Sequence, residues 1–295
     1  MTRRVTDPAE LFSAARSGDR LARARLLSLI ERGGDDARAI GRLTYPLSGS
    51  AYTVGLTGAP GAGKSTLTSA VIAHLRSAGS PVAVLAIDPS SPFTGGAILG
   101  DRVRMQEHAT DDEVFIRSMA TRGHLGGLSL ATSESIRLLD ALGSPWILVE
   151  TVGVGQVEVE IAGKADTTVV VVNPGWGDAV QANKAGLMEV ADVFVINKSD
   201  RKGAAETQRD LEQMLDLSDL DDSAWRPPIV QTTATTSSGI SDLWDAILSH
   251  RDFASKSGEL VRRRSVRLRD ELREIIERRL EDKARELCTG SRWDA

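Results

Sequence analysis

The chain has 295 residues, with 36 Lys and Arg against 41 Asp and Glu and a formal net charge of −5. Its pI near 5.5 disfavours a nucleic-acid partner. A single cysteine, Cys288, excludes an intramolecular disulfide framework and fits a reducing cytoplasm, and no apolar run approaches the roughly 18 residues of a membrane span. The first ten residues hold no apolar leader core and include Asp7 and Glu10, so no targeting segment is expected. The length suits one large domain with helical additions.

Asp7-Pro8-Ala-Glu10 opens a helix, with Asp as N-cap, Pro at the first helical position and Glu three residues after the cap. A second helix is expected from about Asp19 to Arg32, closed by Gly33-Gly34. From Thr53 the pattern becomes α/β. Strands are expected at 52–57, 82–87, 114–117, 146–150, 168–172, 192–197 and 228–231. Helices are expected near 64–78, 127–142, 178–190, 203–216 and 239–250.

The first strand runs into Gly58-Ala59-Pro60-Gly61-Ala62-Gly63-Lys64-Ser65-Thr66, followed by an amphipathic helix. This is a phosphate-binding loop in its required setting. Glycines let backbone N–H groups converge on one concavity, which together with the positive end of the helix binds phosphate oxygens. Lys64 is placed to reach the β- and γ-phosphates and the Ser65 hydroxyl to ligate Mg²⁺.

The second strand leads into Asp88-Pro-Ser-Ser-Pro-Phe-Thr-Gly-Gly-Ala-Ile-Leu-Gly-Asp101, too polar and too rich in Pro and Gly for a core element. Asp101 is the candidate for the outer Mg²⁺ shell. Asp88 is the candidate for water positioning and for the metal; capping the turn before Pro89 is its structural alternative. The strand Trp146-Ile-Leu-Val-Glu150 is reached through a helix, which implies a parallel neighbour, whereas Ras-like GTPases enter the corresponding strand through an antiparallel pair. Glu150 closes that strand where nucleotide hydrolases place a metal-holding acid, and the N–H of Gly153 can sense the γ-phosphate.

After the fifth strand, Asn173-Pro-Gly-Trp176-Gly-Asp178-Ala-Val-Gln-Ala-Asn-Lys184 forms a further loop beside the nucleotide. Asp178 either caps the next helix or serves the phosphate site, and Trp176 either meets a partner or packs onto the fold. Asn197-Lys198-Ser199-Asp200 then ends an apolar strand as N-K-x-D. The Asp200 carboxylate can accept from guanine N1–H and the 2-amino group, donors that adenine lacks. Asn197 can bond the base and tie its loop to the phosphate loop, while the Lys198 stem lies over the ring. Thr233, Ala234 and Thr235, after the last strand, can offer backbone N–H groups to guanine O6.

Beyond His250 the chain is charged and helical, with Leu268, Leu272, Ile276, Leu280, Ala284 and Leu287 on one face. That stripe either covers the protein's own core or forms a dimer arm. The segments expected are a helical extension at 1–50, a GTPase domain at 51–250 and a helical dimerisation arm at 251–295. The fold class is a P-loop NTPase with a mostly parallel sheet flanked by helices, of the signal-recognition and metallochaperone GTPase type.

Several stretches resemble the methylmalonyl-CoA mutase-associated GTPases, of the MeaB/ArgK type, whose human relative underlies cblA-type methylmalonic aciduria. They are Asp88-Pro-Ser-Ser, Thr94-Gly-Gly-Ala-Ile-Leu-Gly-Asp101, Gly126-Gly127-Leu128, Glu150-Thr-Val-Gly153-Val-Gly-Gln156, Gly177-Asp178 and Asn197-Lys-Ser-Asp200, and the likeness spans about residues 5–285. It implies a homodimeric, GTP-hydrolysing chaperone that gates adenosylcobalamin delivery to an acyl-CoA mutase and protects or reactivates it. It also implies Mg²⁺ and phosphate roles for Lys64, Ser65, Asp88, Asp101 and Glu150. The loop with Asp178 and Lys184 resembles the family's third switch, which couples the mutase to the GTPase rate. A cobalamin adenosyltransferase is a further partner the resemblance admits. Arg102, Val157 and Trp176 depart from the family pattern, and Trp176 leaves the choice of mutase open. The description of such proteins as kinases of amino-acid transport has no support in these residues.

No Asp stands two residues before His74, His108, His124 or His250, so the pattern that supplies a lower cobalt ligand is missing and any cobalamin belongs to the partner. The alternatives are a nickel-type metal-delivery GTPase, which four scattered His and one Cys favour little, and a non-catalytic nucleotide-bound scaffold.

Overall fold

Seven short apolar runs form one sheet in the computed structural model, which describes residues 7–88, 105–120, 125–151, 163–175, 189–217 and 224–288. The strands are β1 (Tyr52–Gly58), β2 (Val82–Asp88), β3 (Val114–Ala120), β4 (Trp146–Thr151), β5 (Thr167–Val172), β6 (Val193–Asn197) and β7 (Ile229–Thr232). Their order is β3-β2-β4-β1-β5-β6-β7, and every pairing is parallel. β4 lies between β1 and β2, with Glu150 in register with Leu56 and Ala86. This is the parallel arrangement that the helical crossover implies.

The helices are α1 (Pro8–Arg16), α2 (Arg20–Arg32), α3 (Gly34–Thr44), α4 (Lys64–Ser77), α5 (Leu125–Ala141), α6 (Ala204–Asp216), α7 (Ile240–Lys256) and α8 (Glu259–Leu287). Asp7 caps α1 by accepting from the N–H groups of Ala9 and Glu10, and Asp19 caps α2 in the same way. The sequence reading stops the N-terminal helices at Gly33-Gly34. The structure instead starts a third helix there, because a left-handed Gly33 (φ +75°) turns the chain rather than releasing it into a loop.

Helices cover both faces of the sheet, which is why its central strands read as mostly apolar runs rather than as alternating ones. Val84, Ala86 and Leu148 face α4, α6 and α7, whereas Ala83, Leu85, Ile147 and Val149 face α5 and the N-terminal helices. Leu26, Leu27, Ile30 and Ile40 are fully buried in the second layer, so the N-terminal helices share the core of the sheet.

α8 meets the body with its charged face. Arg264 and Arg267 both bond the buried carboxylate of Asp166, and Arg263 bonds Asp192 at 2.9 Å. Arg137 of α5 forks onto Glu271, and Lys164 holds Glu274 at 2.9 Å. The opposite face carries the apolar stripe: Leu268, Leu272, Ile276, Leu280 and Leu287 are between 47% and 70% exposed. The stripe therefore does not cover the chain's own core.

Candidate nucleotide site

The C-terminal ends of parallel strands converge on one edge of the sheet, and the loops leaving them build the site. Between β1 and α4 the loop makes two approaches that only glycine allows. A Cβ at Gly58 (φ +140°) would lie 2.0 Å from the Val171 carbonyl oxygen, and one at Gly63 (φ +90°) would lie 2.6 Å from Asn197 Nδ2. Lys64 and Ser65 open α4 and are buried. Lys64 Nζ donates to the carbonyls of Gly58 (2.6 Å) and Ala59 (3.1 Å), which holds the ammonium over the loop.

Ser65 Oγ donates to Glu150 Oε1 at 2.6 Å, across from the end of β4. Glu150 is 1% exposed. A hydroxyl and a buried carboxylate at the mouth of a phosphate loop are hard oxygen donors, and this pair fits Mg²⁺ that keeps several waters and takes its other ligands from phosphates. Among the described residues no three His, Cys, Asp or Glu side chains gather as a metal site of their own.

The base-side loop is tied to the phosphate loop. Asn197 Nδ2 donates to the Ala62 carbonyl at 2.8 Å, and Asn197 Oδ1 accepts from Thr232 Oγ1 and from the Ala234 N–H, both at 3.2 Å. One buried amide thus joins three loops. Lys198 has φ +60°, an uncommon conformation for a side-chain-bearing residue. It aims Nζ at the Gly61 carbonyl, 2.6 Å away. Thr233 Oγ1 donates to Asp200 Oδ1 at 3.4 Å. Asp200 is exposed at the loop tip, so its carboxylate is open to a base edge. Pro60 lies on the phosphate loop, Thr66 in the first turn of α4 and Thr235 in a single 3-10 turn after β7.

The backbone of Asp88 ends β2 in register with Ala120, at the same edge of the sheet. Asp101, Gly153, Asp178 and Lys184 lie outside the described residues, as do Trp176 and most of the expected helix at 178–190.

Sequence reasoning missed Thr232, which braces Asn197, and it missed Asp166 and Asp192, which stand just before β5 and β6 at the far end of the sheet. Each Asp follows an alanine and precedes an apolar strand, opposite the run Arg262-Arg263-Arg264 a hundred or fewer residues on; that complementarity was the available signal. Burial works against both charges. Hydrogen bonds from Arg264 to Asp166, and from His250 and Arg263 to Asp192, nonetheless hold both carboxyls below the ordinary range. Burial pushes the Tyr52 hydroxyl up to about 12, beside Thr167, with which it shares a hydrogen bond at 2.8 Å.

A parallel sheet, a phosphate loop and an N-K-x-D loop joined through one asparagine define a P-loop GTPase. The chain matches the model of the family described as methylmalonyl Co-A mutase-associated GTPase MeaB over residues 22–289, and it belongs to that family. It is 55% identical over 269 residues to a putative GTPase of Pyrococcus abyssi, covering 90% of this chain and 83% of that one. It is 39% identical over 218 residues to the mitochondrial methylmalonic aciduria type A homolog of Mus musculus, covering 73% and 52% respectively. A crystal structure of a LAO/AO transport system kinase superposes with a TM-score of 0.76 at 28% identity, covering all of this chain and 90% of the other.

Proposed function

We propose that this protein is a GTP-driven chaperone of an adenosylcobalamin-dependent acyl-CoA mutase, gating cofactor delivery and protecting or reactivating that enzyme. The observation that carries the reading is membership, over residues 22–289, of a family described by its association with methylmalonyl-CoA mutase. It acts as a homodimer in the cytoplasm, and the exposed stripe of α8 supports the dimer.

In this reading the N–H groups of the 58–65 loop bind the β- and γ-phosphates. Lys64 exchanges the carbonyls of Gly58 and Ala59 for phosphate oxygens. Ser65 and Glu150 would hold Mg²⁺, with Asp101 as the further candidate for it, and the ion would supply charge neutralisation at the phosphates. Asp88 orients the water that attacks the γ-phosphorus as the bond to the β-phosphate oxygen breaks, giving GDP and phosphate. Asp200 accepts from guanine N1–H and the 2-amino group, and Thr233, Ala234 and Thr235 surround the base. Asp178 and Lys184 carry the mutase's influence on the rate. Cobalamin stays with the partner.

Single-turnover GTP hydrolysis with and without a saturating acyl-CoA mutase tests the reading. Mutase should accelerate the reaction, and Lys184→Ala and Asp178→Ala should blunt the acceleration. No acceleration and no co-purification with any acyl-CoA mutase would overturn the chaperone role and leave the GTPase intact.

A further inference from the structure

Far from the phosphate loop, α3, α5 and α8 enclose a cleft of about 450 Å³. Arg42 from α3 and Arg278 and Arg279 from α8 line it. None of the three makes a hydrogen bond or ion pair with a described residue. Nearer its start α8 treats its arginines differently: Arg262, Arg263, Arg264, Arg267 and Arg273 each hold a carboxylate. Arg278 is half-buried, Arg42 and Arg279 are exposed, and the cleft holds fewer carboxyls than guanidinium groups, an excess of positive charge that an anion would offset.

Three further features suit an anion. Gly33 makes room for the Arg278 guanidinium: a Cβ at that position would lie 2.3 Å from Nη2. The acid on the α5 wall, Glu134, is pushed up to about 7 by burial and by Glu271 of α8, against the pull of Arg137 and Arg278. Near neutral pH a large part of it is therefore an uncharged carboxyl that can donate to an oxyanion rather than repel it. Asp282 is the other carboxylate lining the cleft, so the three arginines outnumber the negative charge. Leu130 and Ile275 add an apolar surface beside the charged groups.

We propose that this cleft is a second ligand site, separate from the nucleotide site, which takes a small free organic phosphate. Arg42, Arg278 and Arg279 grip the phosphate oxygens, as arginine forks do. The apolar part of the ligand lies on Leu130 and Ile275. Nothing lining the cleft belongs to the phosphate loop or to the N-K-x-D loop.

Calorimetry on the full-length protein loaded with GDP and Mg²⁺ tests this, with phenyl phosphate and inorganic phosphate as probes. Phenyl phosphate should bind saturably, several-fold more tightly than inorganic phosphate. Arg42→Ala and Arg278→Ala should each weaken it about tenfold or more. Glu134→Gln, an uncharged stand-in for the protonated acid, should retain it. Thermal melts of each variant separate lost binding from lost folding. No saturable binding to the wild-type protein overturns the proposal, including the case in which a second copy of the chain covers the cleft. Binding undiminished in a folded Arg42→Ala/Arg278→Ala double variant overturns it too. Equal affinity for the two probes would overturn the assignment of an organic phosphate.

Discussion

Asn197 Nδ2 reaches the carbonyl oxygen of Ala62 at 2.8 Å, so the loop that reads the base is fastened to the loop that holds the phosphates. The same side chain accepts from Ala234, which brings in the loop after β7. Asn197→Ala would orphan both buried groups at a cost of about 1–3 kcal/mol each. The expected result is weaker GTP and GDP binding together with a lower melting temperature of the nucleotide-free protein. Unchanged values for both would remove Asn197 from the role of a joint.

Base choice should rest on Asp200. A site built to pair guanine donors rejects a base that lacks them by roughly 10⁴–10⁵-fold. GTP should therefore bind far better than ATP in calorimetry, and Asp200→Asn should shift preference toward xanthosine nucleotides. Comparable affinities for ATP and GTP would sink the base assignment.

Lys64→Ala should abolish tight nucleotide binding. Glu150→Ala should remove most of the Mg²⁺ dependence, because the buried carboxylate is the group that Ser65 faces. Without a partner, hydrolysis should run at intrinsic G-protein rates, on the order of 10⁻⁴ to 10⁻² per second. Several turnovers per second from the protein alone would contradict the reading.

Two changes to α8 should behave differently. Leu272→Glu, Ile276→Glu and Leu280→Glu together alter only the exposed stripe and should yield a folded monomer in light scattering that still binds GTP. Truncation after Ser257 also removes Arg263, Arg264 and Arg267, leaving Asp166 and Asp192 buried without them. Stripping a buried charge of its partner costs about 3–5 kcal/mol, so the truncated chain should unfold at markedly lower denaturant. If the triple variant stays dimeric, the stripe is not the interface.

The same carboxylates set the acid response. Asp166 and Asp192 are depressed in the folded state, so their stabilisation is complete above the unfolded value of about 3.9 and is lost as pH falls below it. Glu134 has the opposite sign. Raised to about 7, it binds a proton that the unfolded chain releases, so its contribution declines as pH rises from about 4.3 to 7. Glu134→Gln should therefore raise stability at pH 8, by up to about 3 kcal/mol, and change it little at pH 4. Urea melts across that range give the answer directly, and an equal shift at both ends would mean the carboxyl does not titrate there.

All seven strands were legible because a sheet covered on both faces needs continuous apolar runs, and each run is local in the chain. The phosphate loop was legible for a related reason: its chemistry depends on backbone geometry that glycines at fixed spacing encode. The helix at Gly34–Thr44 was hidden, since two glycines look like a stop and only packing against α2 and α5 makes them a corner. Asn197 was singled out from its motif, but its partners Ala62 and Ala234 lie 135 and 37 residues away, and only the closed fold brings them within hydrogen-bond reach. α8 states the division most plainly. Its apolar residues at helical spacing, Leu268 to Leu287, showed by themselves that one face is apolar. Which face would meet the body was decided by Asp166 and Asp192, whose buried charges draw in the arginines and turn the leucines outward.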